Sequence, residues 1–421
     1  MPRRLSLRAA LFAAAALLLY AADVPAQSNS RPARPSQRPA ARDSRTLNLT
    51  PRRVTLGAGR SLRSFTLSLP EGYEIAPAVQ GLKRVRFMAR SPDGRIFVTD
   101  MHDITDNKKG AVYFLDDFDS STHTFRKVVP YMTGLRNPNS VAFYTDARGA
   151  NWLYLALTDR LLRYRYAPGS EAPTSEPEVL ATFPDYGLNY KYGGWHLTRT
   201  VSVGPNGKIY VSVGSSCNAC LEKEEVRASV IEMEPDGKNR RFYARGLRNA
   251  VGLRWVEGRL YATDMGADHL GLDKPADTMY SLREGTNYGW PFCYQSGPRV
   301  FADPEFNPRG RKFACRDVPP AYAAFDAHSA PLGLEHFGGD APSELTDSFL
   351  VALHGSTNKR VGRGYRVVRV SGEGSRPEPF IEGFLQQGRV YGRPADIFRL
   401  NADAFLLTDD RMGVVYYVYK K

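Results

Sequence analysis

One pattern returns along the chain and limits what it can fold into: an apolar run of alternating residues, a turn with Gly and Asp or Asn, then a second alternating run. SPDGRIFVTD (91–100) is followed by GAVYFLDD (110–117), and ARGANWLYLALTD (147–159) by RLLRYRY (160–166). GPNGKIYVSVGS (204–215) precedes SVIEMEPDG (229–237), and EGRLYATDMG (257–266) precedes DTMYSLREG (277–285). LTDSFLVALHGS (345–356) leads to GYRVVRVSG (364–372), and NADAFLLTDD (401–410) to GVVYYVYK (413–420). No long helical periodicity competes with these pairs. A strand pair of this kind cannot bury its apolar faces alone, and units repeated around an axis make a β-propeller, which leaves only short, protected edges. The expectation is an all-β chain: a six-bladed β-propeller in a single domain over residues 47–421. GYEIAPAVQGL (72–82) is expected to add the outer strand of the last blade and close the ring. The longer inserts at 167–197, 216–228 and 285–340 are expected to be loops on one face, where sites usually lie.

The N-terminus reads as an export signal. MPRRLSLR is a basic n-region, AALFAAAALLLY an apolar h-region too short to span a bilayer, and VPA before Gln27 a cleavage site, so residues 1–26 are expected to be a signal peptide. Arg3 and Arg4 weakly suggest twin-arginine export. Residues 27–46, rich in Pro, Arg and Ser, cannot bury a core and are expected to be a disordered spacer. No later run is long enough to cross a membrane as a helix, so the mature chain is expected to have no transmembrane segment. The net charge is +13, and residues 1–45 hold eight Arg and two Asp of it. The remaining charge is spread without a basic stripe interleaved with aromatics, which argues against nucleic acid as a partner. Cationic residues gathered in a pocket would still suit an anionic ligand. Four cysteines, an even count, favour disulfides in an exported chain. The expected bridges are 217–220 and 293–315, although sequence alone does not fix connectivity. CNAC (217–220) reads as a tight bridge, a redox pair or half a zinc site, and without a second CxxC or a nearby His zinc is disfavoured.

Three passages between 190 and 292 carry polar groups beside strands. His196 lies in GGWHLTRT, and a His near neutrality is the usual acceptor of a hydroxyl proton. Arg248 and Asn249 follow Gly-Leu in ARGLRNAVGL; a guanidinium can fork onto a carboxylate or polarise a carbonyl. Gly266, Ala267 and Asp277 surround an Asp-rich loop of the kind that supplies hard oxygens to calcium. Lys359 and Arg360 follow HGS, and Arg393 stands in YGRPADIF; cations from several blades meeting at an axis would suit a polyanionic cofactor. Taken singly, each has a plainer reading, as a structural His, a turn Arg, a solvated acidic loop or a surface charge.

Together and in this order, the motifs resemble the soluble quinoprotein sugar dehydrogenases, the L-sorbosone dehydrogenases above all. The resemblance covers roughly residues 65–420. It is carried by LPEGYEI (69–75), HLTRT…GPNGKIYVSVGSSCNAC (196–220), ARGLRNAVGL (244–253), DTMYSLREGTNYGWP (277–291), HGS (354–356) and GRPADI (392–397). It implies a six-bladed propeller with pyrroloquinoline quinone and Ca2+ as cofactors. By it, His196 is the general base, taking the sugar hydroxyl proton while hydride passes to the quinone C5 carbon. Arg248 polarises the quinone oxygen with Asn249 beside it. The carbonyls of Gly266 and Ala267 hold the calcium, supported by Asp277. Lys359 or Arg360, with Arg393, pairs with the cofactor carboxylates. The substrate is a sugar aldehyde or aldose, electrons leave to a quinone pool or a cytochrome, and the location is periplasmic or secreted. Some positions depart from the family pattern. Trp195 stands where glucose-oxidising members have Asp, which puts glucose in doubt. Ala395 replaces a second Arg, Asn139 matches a Gln only loosely, and Thr278 replaces a Glu calcium ligand. Two rivals remain: a calcium-dependent propeller lactonase, which needs acidic side chains at the axis, and a non-catalytic extracellular binding propeller.

Overall fold

The strands that sequence finds most easily are those buried on both faces. Ile96–Asp100, Ile209–Val213, Ser348–Leu353 and Ala404–Asp409 are buried at every residue. Each is the second strand of a four-stranded meander. The structure, a computed structural model, describes residues 46–57, 59–187, 195–358 and 361–421. The signal peptide (1–26), nearly all of the spacer, and Lys359 and Arg360 lie outside the described residues. Blade I is Val85–Arg90, Ile96–Asp100, Gly110–Asp119 and Thr124–Leu135, hydrogen-bonded in that order. Blades II to V repeat the meander from first strands Ser140–Thr145, Arg199–Val203, Ala250–Val256 and Pro331–Phe337. Blade VI begins with Pro394–Arg399, Ala404–Asp409 and Val414–Lys420. Its outer strand comes from the other end of the chain, Tyr73–Val79, with Tyr73 opposite Lys420 and Ile75 opposite Val418. The expected closure by residues 72–82 is therefore present. The first strands touch one another in a closed ring, blade VI back to blade I.

Apolar side chains gather in the wedges between blades. Tyr154 and Leu161 of blade II meet Ile209 and Val211 of blade III, and Met279 and Phe325 of blade IV meet Phe349 and Val351 of blade V. Each fully buried side chain of this size contributes about 1.5–3 kcal/mol relative to exposure. The hairpin Leu49–Leu56/Arg63–Pro70 covers the wedge between blades V and VI. Phe87, Val251, Leu332 and Ala395 of four first strands plug the axis.

The first strands of blades I, IV, V and VI each carry a register shift. In three of them a threonine takes the freed backbone group and ties it to a neighbouring blade. Thr99 Oγ1 accepts from Phe87 N and donates to Asn139 O; Thr263 Oγ1 accepts from Gly252 N and donates to Leu332 O; Thr408 Oγ1 accepts from Asp396 N and donates to Arg86 O. These buried groups are satisfied without a continuous ladder.

In an antiparallel meander, the connections after second strands and those leading into first strands emerge at the same end. His196, Arg248, Asn249, Gly266, Ala267 and Arg393 all stand on such connections and share one face. Residues 216–228 form a loop as expected, and the other two long inserts differ. Residues 167–197 contain the outer strand Glu178–Thr182, and residues 285–340 contain the hairpin Cys293–Ser296/Arg299–Ala302, the outer strand Ala323–Phe325 and the first strand of blade V. Glu178–Thr182 is short and mostly exposed and Ala323–Phe325 has only three residues, so neither shows the alternation that reveals its neighbours. Both expected disulfides, Cys217–Cys220 and Cys293–Cys315, are formed.

Candidate active site

His196 is placed by the chain entering blade III. Its φ of 50° lies in the left-handed region that non-glycine residues rarely occupy, and such strain is kept where the surroundings enforce it. Arg199, 1% exposed, enforces it here: Nη1 donates to His196 O at 2.7 Å and Nη2 to Pro184 O at 3.0 Å. The imidazole Nδ1 lies 2.9 Å from both Ser215 O and Ser215 Oγ. Ser215 Oγ donates to Cys217 O at 2.8 Å, so it accepts from the ring. The network thereby assigns the proton to Nδ1 and the lone pair to Nε2, which has no partner among the described residues. Burial, followed by the Arg248 charge and those of Arg199 and Arg227, pushes the imidazole well below the ordinary histidine range, so it stays neutral. Gly214 permits the packing: a Cβ there would lie 2.4 Å from Asn249 Oδ1 and 2.6 Å from His196 Cβ.

His196 and Asn249 line an axial cavity of about 220 Å³ with Leu197 and, on the opposite wall, Arg84, Arg86, His354 and Asp410. Asp410 Oδ2 accepts from Arg86 Nη1 at 2.9 Å and lies 3.5 Å from Arg84 Nε; Oδ1 is 2.8 Å from His354 Nε2. Burial alone would raise this carboxyl, but His354 and the two guanidiniums outweigh it and hold Asp410 well below the usual carboxylate range. His354 is pushed down to about 3, by burial first and the Arg393 charge second, so the neutral ring donates from Nε2. Arg86 Nε also donates to Asn139 Oδ1 at 3.0 Å, which makes Asn139 a buried support of this wall.

Arg248 is 4% exposed and adjoins His196 from blade IV. Its Nε donates to Asn218 O at 2.7 Å, Nη2 to Asn218 Oδ1 at 2.9 Å and Nη1 to Met265 O at 3.4 Å. Its guanidinium lies 6.0 Å from the Trp195 ring centroid, and that ring is 5.9 Å from the His196 ring. Arg393 donates from Nε to His354 O at 3.1 Å and from Nη2 to Gly355 O and Ser356 O. Among the described residues, no carboxylate forms an ion pair with Arg248 or Arg393. The structure therefore brings His196 and Asn249 together on the axial cavity and sets Arg248 on the neighbouring cavity beside Gly266 and Ala267, while Arg393 clasps the HGS loop and lines neither.

Gly266 and Ala267 lie beside Arg248 around a small neighbouring cavity. Asp277 binds their loop: Oδ1 accepts from Gly266 N and Oδ2 from Ala330 N, both at 2.7 Å, and burial raises its carboxyl to about 6. The carbonyls of Gly266 and Ala267 accept no hydrogen bond among the described residues, so both keep their lone pairs for a hard cation. Cys217, Cys220 and Glu222 cluster in space, but both sulfurs are in the disulfide and hold no metal.

A repeated signal in the sequence would have exposed the missed wall. The second strands of blades I, IV and VI end in Thr-Asp. Asp100 accepts from the backbone of Lys83 and Arg84, Asp264 from Arg248 and Asn249, and Asp409 from Arg393. Each Asp fixes the backbone of an arginine on the site face, so Arg84 belongs to the same series as Arg248 and Arg393.

A family model described as TrAA12-like matches residues 67–383. An uncharacterized protein of Borreliella burgdorferi is 24% identical over 378 residues, which is 84% of this chain and 91% of that protein. Among solved structures, the holo PQQ domain of pyranose dehydrogenase from Coprinopsis cinerea aligns with TM-score 0.67 at 18% identity, over 86% of this chain and 98% of that one. The calcium structure of the family AA12 enzyme of Trichoderma reesei aligns at 0.66 and 16%, over 84% and 96%. The soluble aldose sugar dehydrogenase of Escherichia coli, in its apo form, aligns at 0.58 and 12%, over 83% and 100%. At these identities the likeness to solved structures is one of fold.

Proposed function

This chain belongs to the TrAA12-like family, and from that premise we propose that it is an exported dehydrogenase oxidising a sugar aldehyde or aldose with calcium-bound pyrroloquinoline quinone. One observation carries the reading: a neutral, strained histidine sits beside a buried arginine whose guanidinium has no carboxylate within ion-pair distance among the described residues. Asp268, Asp264 and Asp277 favour the guanidinium charge only from beyond contact, and an anionic ligand in direct contact would offset more of the cost of burying it. Proteins named for PQQ and for calcium share the fold, which supports the cofactor pair.

The residues present fit such a group. Arg248 and Asn249 would face its oxygens, and the two unpaired carbonyls of Gly266 and Ala267, with Asp277 behind them, would hold the calcium. Bound there, the quinone supplies a two-electron acceptor for hydride. His196 Nε2 takes the proton from the sugar hydroxyl, because Nδ1–H is committed to Ser215. Ser215 and Arg199 keep the ring in that pose. Trp195, 45% exposed beside His196, offers an apolar face to the C–H groups of a sugar ring. Two disulfides and the N-terminal signal support export to the periplasm or beyond, with electrons passing to a quinone pool or a cytochrome.

The test is reconstitution. Purified apoprotein is mixed with the quinone, with and without Ca2+, and dye-linked turnover is followed over a panel of aldoses and ketoaldehydes. Turnover that needs both additions is expected. Hydrolysis of a sugar lactone without quinone, or no absorbance change and no turnover on any sugar, would overturn the reading.

A further inference from the structure

The CNAC loop attracts attention for its sulfurs, yet the group it presents to the site is Asn218. The loop touches both sides of the proposed catalytic pair. Ser215 N donates to Arg248 O at 2.8 Å, while Ser215 O and Oγ receive His196 Nδ1. Three residues on, Asn218 accepts from Arg248 twice, through its backbone and side-chain oxygens, and its Oδ1 also accepts from Asp268 N at 2.9 Å, next to the Gly266–Ala267 carbonyls. Asn218 lies inside the short ring closed by Cys217–Cys220. A free loop would lose conformational entropy in offering two acceptors at the spacing of a guanidinium edge, and the bridge removes most of that freedom beforehand.

We infer that Asn218 is a positioning residue for Arg248, and that the Cys217–Cys220 bridge holds Asn218 in place; the catalytic half of the inference rests on the reading above. The choice of an amide follows from charge. A carboxylate at this position would grip the guanidinium harder and cancel its field. An amide and two carbonyls orient Arg248 and leave its charge directed at an incoming anion.

The experiment uses full-length mature protein in four forms: wild type, Asn218→Ala, Asn218→Asp and the double variant Cys217→Ser/Cys220→Ser. The first readout needs no cofactor. In arginine-labelled apoprotein, the Arg248 Nη protons, identified by their loss in Arg248→Lys, should give separate signals in wild type and an averaged signal in Asn218→Ala and in the double variant. Asn218→Asp should keep them separate. The second readout follows reconstitution. Asn218→Ala should lower kcat by about tenfold to a hundredfold with sugar KM within about twofold, as expected when a group acting in the transition state is displaced. Asn218→Asp should remain impaired, with quinone affinity about tenfold weaker, although its arginine is ordered. Separate Nη signals together with wild-type kcat in Asn218→Ala would overturn the proposal, and so would full activity in Asn218→Asp. If wild type shows no quinone-dependent turnover, the dehydrogenase reading falls, and the Nη signals still decide whether Asn218 positions Arg248.

Discussion

Two walls of the axial face hold buried guanidinium groups in opposite ways. On the wall of blades VI and I, Arg86 and Arg84 meet Asp410, and His354 completes the set. On the wall of blades III and IV, Arg248 meets only carbonyl and amide oxygens. Opposite charges in a low-dielectric interior satisfy each other, and removing one partner strands the rest. A cation held by neutral dipoles is oriented but keeps its field. In the proposed reading, the first wall is a structural cluster and the second acts on a ligand. The neutral bases follow the same division: His354 spends Nε2 on Asp410, while His196 leaves Nε2 free.

This contrast breaks if variants on the two walls behave alike. The largest effect is expected from His196→Ala, which should lower kcat by about 10²- to 10⁴-fold in the reconstituted enzyme while the melting temperature stays near wild type. Arg248→Leu should lower kcat/KM by about 10²- to 10³-fold with the fold intact. Arg86→Leu should instead cost stability, on the order of 3 kcal/mol by denaturant unfolding, because Asp410 remains buried with fewer partners. A stable Arg86→Leu protein that cannot bind quinone would move the functional wall to blades VI and I. Calcium sharpens the comparison further. With Asp277 raised to about 6 by burial, protons compete with the metal below that pH. Calorimetric calcium affinity should fall as pH drops through 6, and Asp277→Asn should lessen that fall. The smallest effect is expected at Trp195: Trp195→Ala should raise sugar KM by about tenfold and spare kcat, the loss of about 1.4 kcal/mol of stacking.

Much of this fold is legible in the chain, for a physical reason. Doubly buried second strands such as IYVSV (209–213) are mostly apolar, and their hairpin partners reveal blade after blade. The closing strand at 73–79 is legible because the last blade otherwise lacks a fourth member. First strands hide, since bulges at Val85/Met88 and Ala250/Leu253 break their alternation and threonines replace ladder bonds. The outer strand Glu178–Thr182 hides because water faces most of it. At the site, His196, Arg248 and Asn249 stand in recognisable motifs and do meet. Arg86 and Asp410 are 324 residues apart, and only the closed ring joins them. His354 stands within HGS, but its partner Asp410 is 56 residues away in sequence, and nothing local marks the pair. Arg393 carries the expected charge, yet its guanidinium is engaged by the carbonyls of residues 354–356. Asn218 carries no signal of its own in the sequence, because the cysteines are the conspicuous residues of CNAC.

The most direct test is a crystal structure of the apoprotein soaked with pyrroloquinoline quinone and Ca2+. The account predicts the quinone in the axial cavity within contact of His196, Asn249 and the Arg248 guanidinium, with calcium on the carbonyls of Gly266 and Ala267. A quinone seated against Arg86 and Asp410 alone, or no quinone in the cavity at all, would contradict it.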